Sequence, residues 1–304
     1  MKVLMTGGAG FIGSHTCERL LAEGMDVCAI DDLSHGRREY APDGVKFYEA
    51  DIRDAGAVDK IFEAERPGAV VHLAAQIKPH NSIVDPAHDA QVNIIGSINL
   101  LEAARKSGVK KIIYAASAAI FGEPAYLPID EAHPLDMISG YGVSKHTVEH
   151  YLSVYNKLYG MGYNILRYSN VFGPRQDSTG EGGVIAIFSE TFAKGGVPTV
   201  FGDGEQVRDF VYVKDVTEAN LLALRSDKNG IYNVCTGEKV TVNRLVDTFN
   251  IIYGVSIKPN YTAPRDGDIL VSYMTYAKIQ AEMGWAPKYA FADALRETAA
   301  YYGG

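Results

Sequence analysis

KVLMTGGAGFIGS, residues 2–14, sets a short apolar run directly before a glycine-rich turn, and the turn directly before a segment of helical period. Residues 2–5 read as a buried strand and 12–23 as a helix, with Gly24 just past its end. Gly7, Gly10 and Gly13 give a GxxGxxG spacing between the two. Glycines there permit a tight turn and close approach of backbone to a pyrophosphate. The N–H groups of Phe11, Ile12 and Gly13 at the helix start, with the helix dipole, favour negative charge. A glycine-rich turn alone is weak evidence; its place between the first strand and a helix is what gives it weight. About 20 residues on, where a second strand at 27–30 ends, stand Asp31 and Asp32. In this arrangement a carboxylate meets the adenosine ribose hydroxyls, so the pair predicts a bound dinucleotide. An acid there repels a 2′-phosphate and selects NAD over NADP, with Arg37 and Arg38 expected on a solvated loop. Asp51 and Ile52, after KFYEA, are expected near the adenine.

The same alternation continues outward. AVVHL at 69–73, KIIYAA at 111–116 and YNILRY at 163–168 read as parallel strands, and 54–64, 86–107 and 141–159 as helices. Strand and helix in alternation predict an α/β fold, a doubly wound parallel Rossmann sheet with helices on both faces. After residue 168 the pattern loosens into glycine-rich loops, with strands expected again at 209–213 and 230–234. The domain expectation is a dinucleotide-binding part over 1–168, with returning segments near 209–237, and a smaller C-terminal substrate lobe formed mainly by 169–304.

Bulk composition removes several classes. With 304 residues and 47% hydrophobic content the chain can fill a sizeable core. A formal charge of −8 would repel a nucleic-acid backbone, so no nucleic-acid partner is expected. No apolar run approaches membrane-spanning length and glycines interrupt the N-terminus too early for a signal peptide, which predicts a cytoplasmic chain without a membrane partner. Cys17, Cys28 and Cys235 lack metal or disulfide spacing; no metal is expected.

YGVSK, residues 141–145, carries the chemistry. Tyr141 and Lys145 lie one turn apart on one helix face, which continues through Val148, Leu152, Tyr155 and Tyr159 and is expected to point inward. A buried ammonium is costly and needs a purpose. Beside a phenol it favours the phenolate, lowering a pKa that is about 10 in model peptides and making a base usable near neutral pH. The commoner fate of such a pair is a packed tyrosine and a lysine reaching for solvent. Ser117, at the carboxyl end of the strand at 111–116, decides against it. Ligands of open α/β sheets bind beyond those ends, where its hydroxyl can meet the same substrate oxygen as Tyr141.

With TGGAGFIG, Asp31, HLAA at 72–75, Asn93, Ser117 and Tyr-x-x-x-Lys in place, the chain resembles the extended short-chain dehydrogenase/reductases over essentially its whole length. RYSNVFGPRQD, FGDGEQVRDFVYVKDV and PRDGD make it most similar to the nucleotide-sugar 4-epimerases of the UDP-glucose/UDP-galactose type. The resemblance implies that Ser117 and Tyr141 handle the sugar 4-hydroxyl and that Lys145 also holds the nicotinamide ribose. It assigns Leu73, Ala74, Ala75 and Asn93 to the cofactor, and Asn170, Arg208, Arg265 and Asp268 to the nucleotide diphosphate and uridine ribose. It implies a homodimer through the helices at 86–107 and 141–159. Dehydratases of the family carry an acid after the strand-end serine or threonine; Ala118 and Ala119 stand here, which favours a redox-neutral epimerisation. Ser272, seven residues after Arg265, occupies the position where a large side chain excludes an N-acetyl group, so N-acetylhexosamines are expected to enter. A UDP-glucuronate 4-epimerase, a 4-ketoreductase and a non-catalytic dinucleotide sensor are the alternatives.

Overall fold

Short runs of β-branched and aliphatic residues are buried on both faces only in a parallel sheet covered by helices, and that is the arrangement they adopt. The computed structural model describes residues 1–179, 183–265 and 267–303. Six strands, β1 (Lys2–Thr6), β2 (Asp26–Asp31), β3 (Lys46–Glu49), β4 (Ala69–His72), β5 (Lys111–Ser117) and β6 (Gly162–Tyr168), join a seventh at Gly230–Val234. Their order is Gly230–Val234, β6, β5, β4, β1, β2, β3, and the five pairs from β6 to β3 are parallel. The chain therefore reverses its winding between β1 and β4, the point at which such sheets bind ligands. β3 was not among the expected strands: its four residues are only half covered, the pattern of an edge.

Helices α1 (Phe11–Ala22), α2 (Ala55–Glu65), α3 (Pro79–Val84), α4 (Pro86–Ala90), α5 (Gly96–Lys106) and α6 (Gly140–Tyr159) connect these strands. Asp54 caps α2 by accepting from Ala57 N at 3.0 Å. Asp85 caps α4, with Pro86 in its first turn. The expected single helix over 86–107 is instead α4 and α5 joined by one wide π-turn at Gln91–Ile95. Leu4, Ile30, Val70, Ile112 and Ile165 meet Phe62, Leu100, Leu101 and Leu152 in one buried cluster. Each such side chain contributes about 1.5–3 kcal/mol on burial.

Two compact units result. The first comprises Met1–Gly122, Leu135–Tyr168 and Thr217–Tyr232, and the second Glu123–Pro134, Ser169–Val216 and Asn233–Gly304. In the second, Asn170–Phe172 pairs in parallel with Phe210–Tyr212, Val207–Arg208 antiparallel with Val240–Thr241, and Thr199–Phe201 in parallel with Asn260–Thr262. Its helices Val184–Ala193 and Val242–Tyr253 pack through Phe192 stacked on Phe249, ring centroids 5.1 Å apart. Residues 180–182 of the glycine-rich loop lie outside the described residues.

Candidate active site

The turn after β1 is tight in the literal sense. Gly7 has φ +72°, and a Cβ on it would stand 3.0 Å from Ala74 N. On Gly13 a Cβ would come within 1.9 Å of Gly7 O. No side chain can exist at either place without moving the loop, so backbone alone faces the crevice. Gly10 begins α1 without a side-chain cap, leaving that helix end to other partners.

Asp31, the last residue of β2, is buried and accepts from Ala9 N and Leu33 N, both at 2.9 Å. Burial raises its pKa, against the pull of those two donors. Asp32 turns away into solvent and accepts from Ser34 N and Ser34 Oγ at 3.0 and 2.6 Å, so the structure brings Asp31 and not Asp32 to the glycine loop. Asp51 pairs with Arg53 (Nε to Oδ2, 2.8 Å), and that hydrogen-bonded guanidinium lowers its pKa. Ile52 is buried against Gly96, where a Cβ would be 2.7 Å from its Cδ1. Arg37 and Arg38 are exposed, as expected, with Arg38 over the Phe47 ring at 4.5 Å.

At the end of β4 the segment His72–Ala75 is locked to β1. Thr6 Oγ1 accepts from Leu73 N (3.2 Å) and Ala74 N (3.1 Å) and bonds His72 Nδ1 (2.7 Å), while His72 Nε2 meets Ser97 Oγ at 2.8 Å. Burial, with the Lys145 charge, pushes the His72 pKa down to about 3, so the ring is a neutral clamp. Asn93 is buried in the π-turn. Its Oδ1 accepts from Gln76 N at 2.8 Å, and its Nδ2 lies 3.1 Å from Gln76 O and 2.9 Å from Ser144 Oγ.

Ser117 ends β5, and its Oγ accepts from Ala119 N at 3.2 Å. Ser139 caps α6 (Gly142 N to Oγ, 3.2 Å), which sets Tyr141 in the first turn, and Gly142 lets the helix close on the serine turn: a Cβ there would be 2.7 Å from Ala119 O. Ser117 and Tyr141 are hydrogen-bonded. Lys145, 4% exposed, donates to Ala115 O at 2.9 Å and lies 5.9 Å from the Tyr141 ring centroid and 5.1 Å from that of Tyr114. Burial lowers its pKa to about 8, with Asp89 acting the other way. The expected lowering of the Tyr141 pKa by this ammonium is corrected: burial dominates and raises it, against the bond to Ser117. The reason is geometric, since the ammonium is directed at a carbonyl rather than at the phenol oxygen. One further expectation fails. Val148, Leu152 and Tyr155 are buried, but Tyr159, next to the helix end at Gly160, is 52% exposed.

Asn170, Arg208, Arg265, Asp268 and Ser272 all belong to the second unit. Arg208 forms an ion pair with Asp268, and Ser272 N donates to Val207 O at 3.1 Å, so these three lie together. Asn170 is exposed and joined to them through Asp209, whose backbone O accepts from Asn170 Nδ2 at 3.0 Å. Arg265 lies over the Phe201 ring at 4.0 Å. Buried Asp209 ties the unit: Thr236 N, Gly237 N and Met274 N donate to its carboxylate at 2.9, 2.9 and 3.2 Å. Thr6, Gln76, Asp89, Gly142 and Asp209 escaped the sequence reading. Asp89, Asn93 and Ser97 do recur at helical spacing, a polar stripe that signals a buried network. Among the described residues no cluster of three or more His, Cys, Asp or Glu could hold a metal ion.

The model of the NAD dependent epimerase/dehydratase family matches residues 3–235. The chain belongs to that family. Among solved structures, the UDP-glucose 4-epimerase of Thermotoga maritima, with UDP-glucose, is 44% identical with a TM-score of 0.97, over 99% of this chain and 98% of that one. The Thermus thermophilus UDP-glucose 4-epimerase, in complex with NAD, is 45% identical with a TM-score of 0.94, over 100% and 99%. A UDP-N-acetylglucosamine 4-epimerase from Methanobrevibacter ruminantium, in complex with UDP-N-acetylmuramic acid, is 35% identical with a TM-score of 0.94, over 99% and 97%. In this member of the epimerase/dehydratase family the side-chain-free glycine cradle and the buried Asp31 carboxylate beside it fit a dinucleotide with free ribose hydroxyls.

Proposed function

We propose that this enzyme is an NAD-dependent isomerase that inverts C4 of UDP-hexoses, interconverting UDP-glucose and UDP-galactose through a 4-keto sugar. The observation that carries it is the grouping of half-buried Ser117 and Tyr141 with buried Lys145, at the same carboxyl end of the sheet as the glycine cradle. Gly7, Gly10, Phe11, Ile12 and Gly13 hold the pyrophosphate with backbone N–H groups, Asp31 the adenosine ribose, Asp51 and Ile52 the adenine side, and Leu73, Ala74, Ala75 and Asn93 line the crevice. Bound NAD supplies the reversible hydride acceptor and, when oxidised, a positive charge that favours the ionised phenol.

Tyr141 takes the proton of the sugar 4-hydroxyl and returns it, and Ser117 orients that oxygen. Lys145 keeps a positive charge near the phenol and holds the nicotinamide ribose. With Tyr141 as the one proton acceptor and bound NAD as the one hydride acceptor, inversion would require the keto sugar to present its other face while the nucleotide stays gripped. Arg208, Arg265, Asp268 and Asn170 supply that grip, since guanidinium forks match phosphate oxygens. Ser272 leaves room for an N-acetyl group. Proton NMR of the anomeric signals, after mixing the protein with UDP-galactose and no added cofactor, tests the reaction: UDP-glucose appears. Unchanged substrate with NAD demonstrably bound rejects the assignment, and stoichiometric NADH consumption points to a ketoreductase.

A homodimer through the helical segments at 86–107 and 141–159 is part of the proposal. Ile95, Val143, Val154 and Leu158 present apolar side chains to solvent, Leu158 at 66% exposure. Light scattering on Leu158→Glu tests it, and an unchanged mass would move the interface elsewhere. Three buried, unbridged cysteines suit the reducing cytoplasm. Among the described residues no helix is long and apolar enough to cross a membrane.

A further inference from the structure

Asp89 is a carboxylate that is 2% exposed, on α4, with no cation hydrogen-bonded to it among the described contacts. Its Oδ1 accepts from Gln76 Nε2 at 2.8 Å and from Asn93 Nδ2 at 3.1 Å. The same Asn93 Nδ2 reaches Ser144 Oγ at 2.9 Å, and Ser144 Oγ donates to Tyr141 O at 3.1 Å. Four hydrogen bonds thus run from Gln76 through this carboxylate to the helical turn that carries Tyr141 and Lys145. Burying a charge in such a place costs several kcal/mol unless another charge uses it.

We infer that Asp89 is a positioning residue of the reaction, its carboxylate fixed by Gln76 and Asn93 to supply the negative charge against which the buried Lys145 ammonium and the Tyr141 phenol operate. The inference rests on the epimerase reading only for its kinetic arm. The other titratable groups around the pair come from three elements. His72 on β4 is neutral, with its pKa near 3. On β5, burial raises the Tyr114 phenol further from ionisation. Glu149 on α6 is bonded to Arg167 at 2.7 Å and to His146 at 3.0 Å. Asp89 is the carboxylate whose field acts on both Lys145 and Tyr141, and it favours the protonated form of each.

The signs are then fixed. The competent state pairs an ionised Tyr141 with a protonated Lys145, so turnover passes through a maximum bounded by the titrations of the two groups together. A negative charge holds both protons on, so removing it moves both limbs of the pH profile toward lower pH. A loss of scaffolding alone would lower the profile at every pH without moving it. Asp89→Asn separates the two, because an amide oxygen in place of Oδ1 keeps both hydrogen bonds. The expected result, on the protein with its NAD, is a kcat profile displaced toward acid, with turnover on the alkaline limb reduced roughly tenfold and turnover on the acid limb raised. Asp89→Glu, with the charge restored, returns the profile toward that of the parent. In parallel, the ultraviolet phenolate titration assigned to Tyr141 by difference against Tyr141→Phe shifts to lower pH in Asp89→Asn.

A uniform loss across pH with an unmoved phenol titration overturns the inference. Should Asp89→Asn not fold, Asp89→Ser removes the charge with less bulk and carries the same expectation. If the parent protein does not interconvert UDP-hexoses, the epimerase reading fails while the phenol titration still decides the role of Asp89.

Discussion

The polar groups around Tyr141 and those around Arg208 solve opposite problems. In the first unit Asp89, Asn93, Ser144 and Lys145 are all buried, and each is fixed by hydrogen bonds to its neighbours. In the second, Arg208, Asp268 and Arg265 are partly or fully open to solvent, and the ion pair and the ring contact are their main restraints. A dry, rigid arrangement suits proton transfer, where a misplaced charge is expensive. A wetter, exchangeable arrangement suits the proposed grip on a diphosphate, in which Arg208, still partly open to solvent, would exchange its Asp268 partner for phosphate.

The sharpest way to break this contrast is Tyr141→Phe. Turnover in the NMR assay should fall about 10²–10⁴-fold with NAD still bound, and near-parent activity would remove the tyrosine from the reaction. Arg208→Leu should act in the other register. It should raise the KM for UDP-galactose about tenfold to a hundredfold through the loss of a charge-assisted phosphate contact, with a much smaller change in kcat. An equal loss in kcat would join the two regions in one function. Ser272→Tyr should abolish turnover of UDP-N-acetylgalactosamine while sparing UDP-galactose, measured side by side in one tube; loss of both would mean the substitution disturbs more than a pocket wall.

The smallest effect concerns stability. Burial pushes the Glu65 carboxyl up, yet hydrogen bonds from Lys2, Lys46 and Tyr48 outweigh this and hold its pKa at about 2. A folded-state pKa below the ordinary value means stability present above about pH 4.5 and lost as pH falls toward 2. Thermal melts of Glu65→Gln should therefore lie below the parent at neutral pH and converge with it in acid; parallel curves would refute the assignment.

What was legible in the sequence follows the same division. GxxGxxG, Asp31 and Tyr-x-x-x-Lys are short-range patterns whose geometry is set by one turn or one helix, so spacing alone locates them. β1, β2, β4, β5 and β6 announced themselves through apolar runs buried on both faces, whereas the half-covered β3 offered no such run. Gln76 and Asp89 were illegible because their meeting depends on the π-turn at Gln91–Ile95, which no periodicity reveals. The direction of the Tyr141 shift was misjudged because spacing shows that two groups are near each other but not which atom the ammonium faces.

That π-turn has a consequence for length variation in this region. A π-turn is one residue too many for a regular helix, and each residue advances a helix by about 100°. Removing Val92 would give an unbroken helix from α4 to α5, locally more regular. Everything before the deletion, Asp89 included, would then be wound about a quarter turn relative to Leu100 and Leu101 in the core. The segment tolerates an exchange of side chains far better than a change in its count of residues.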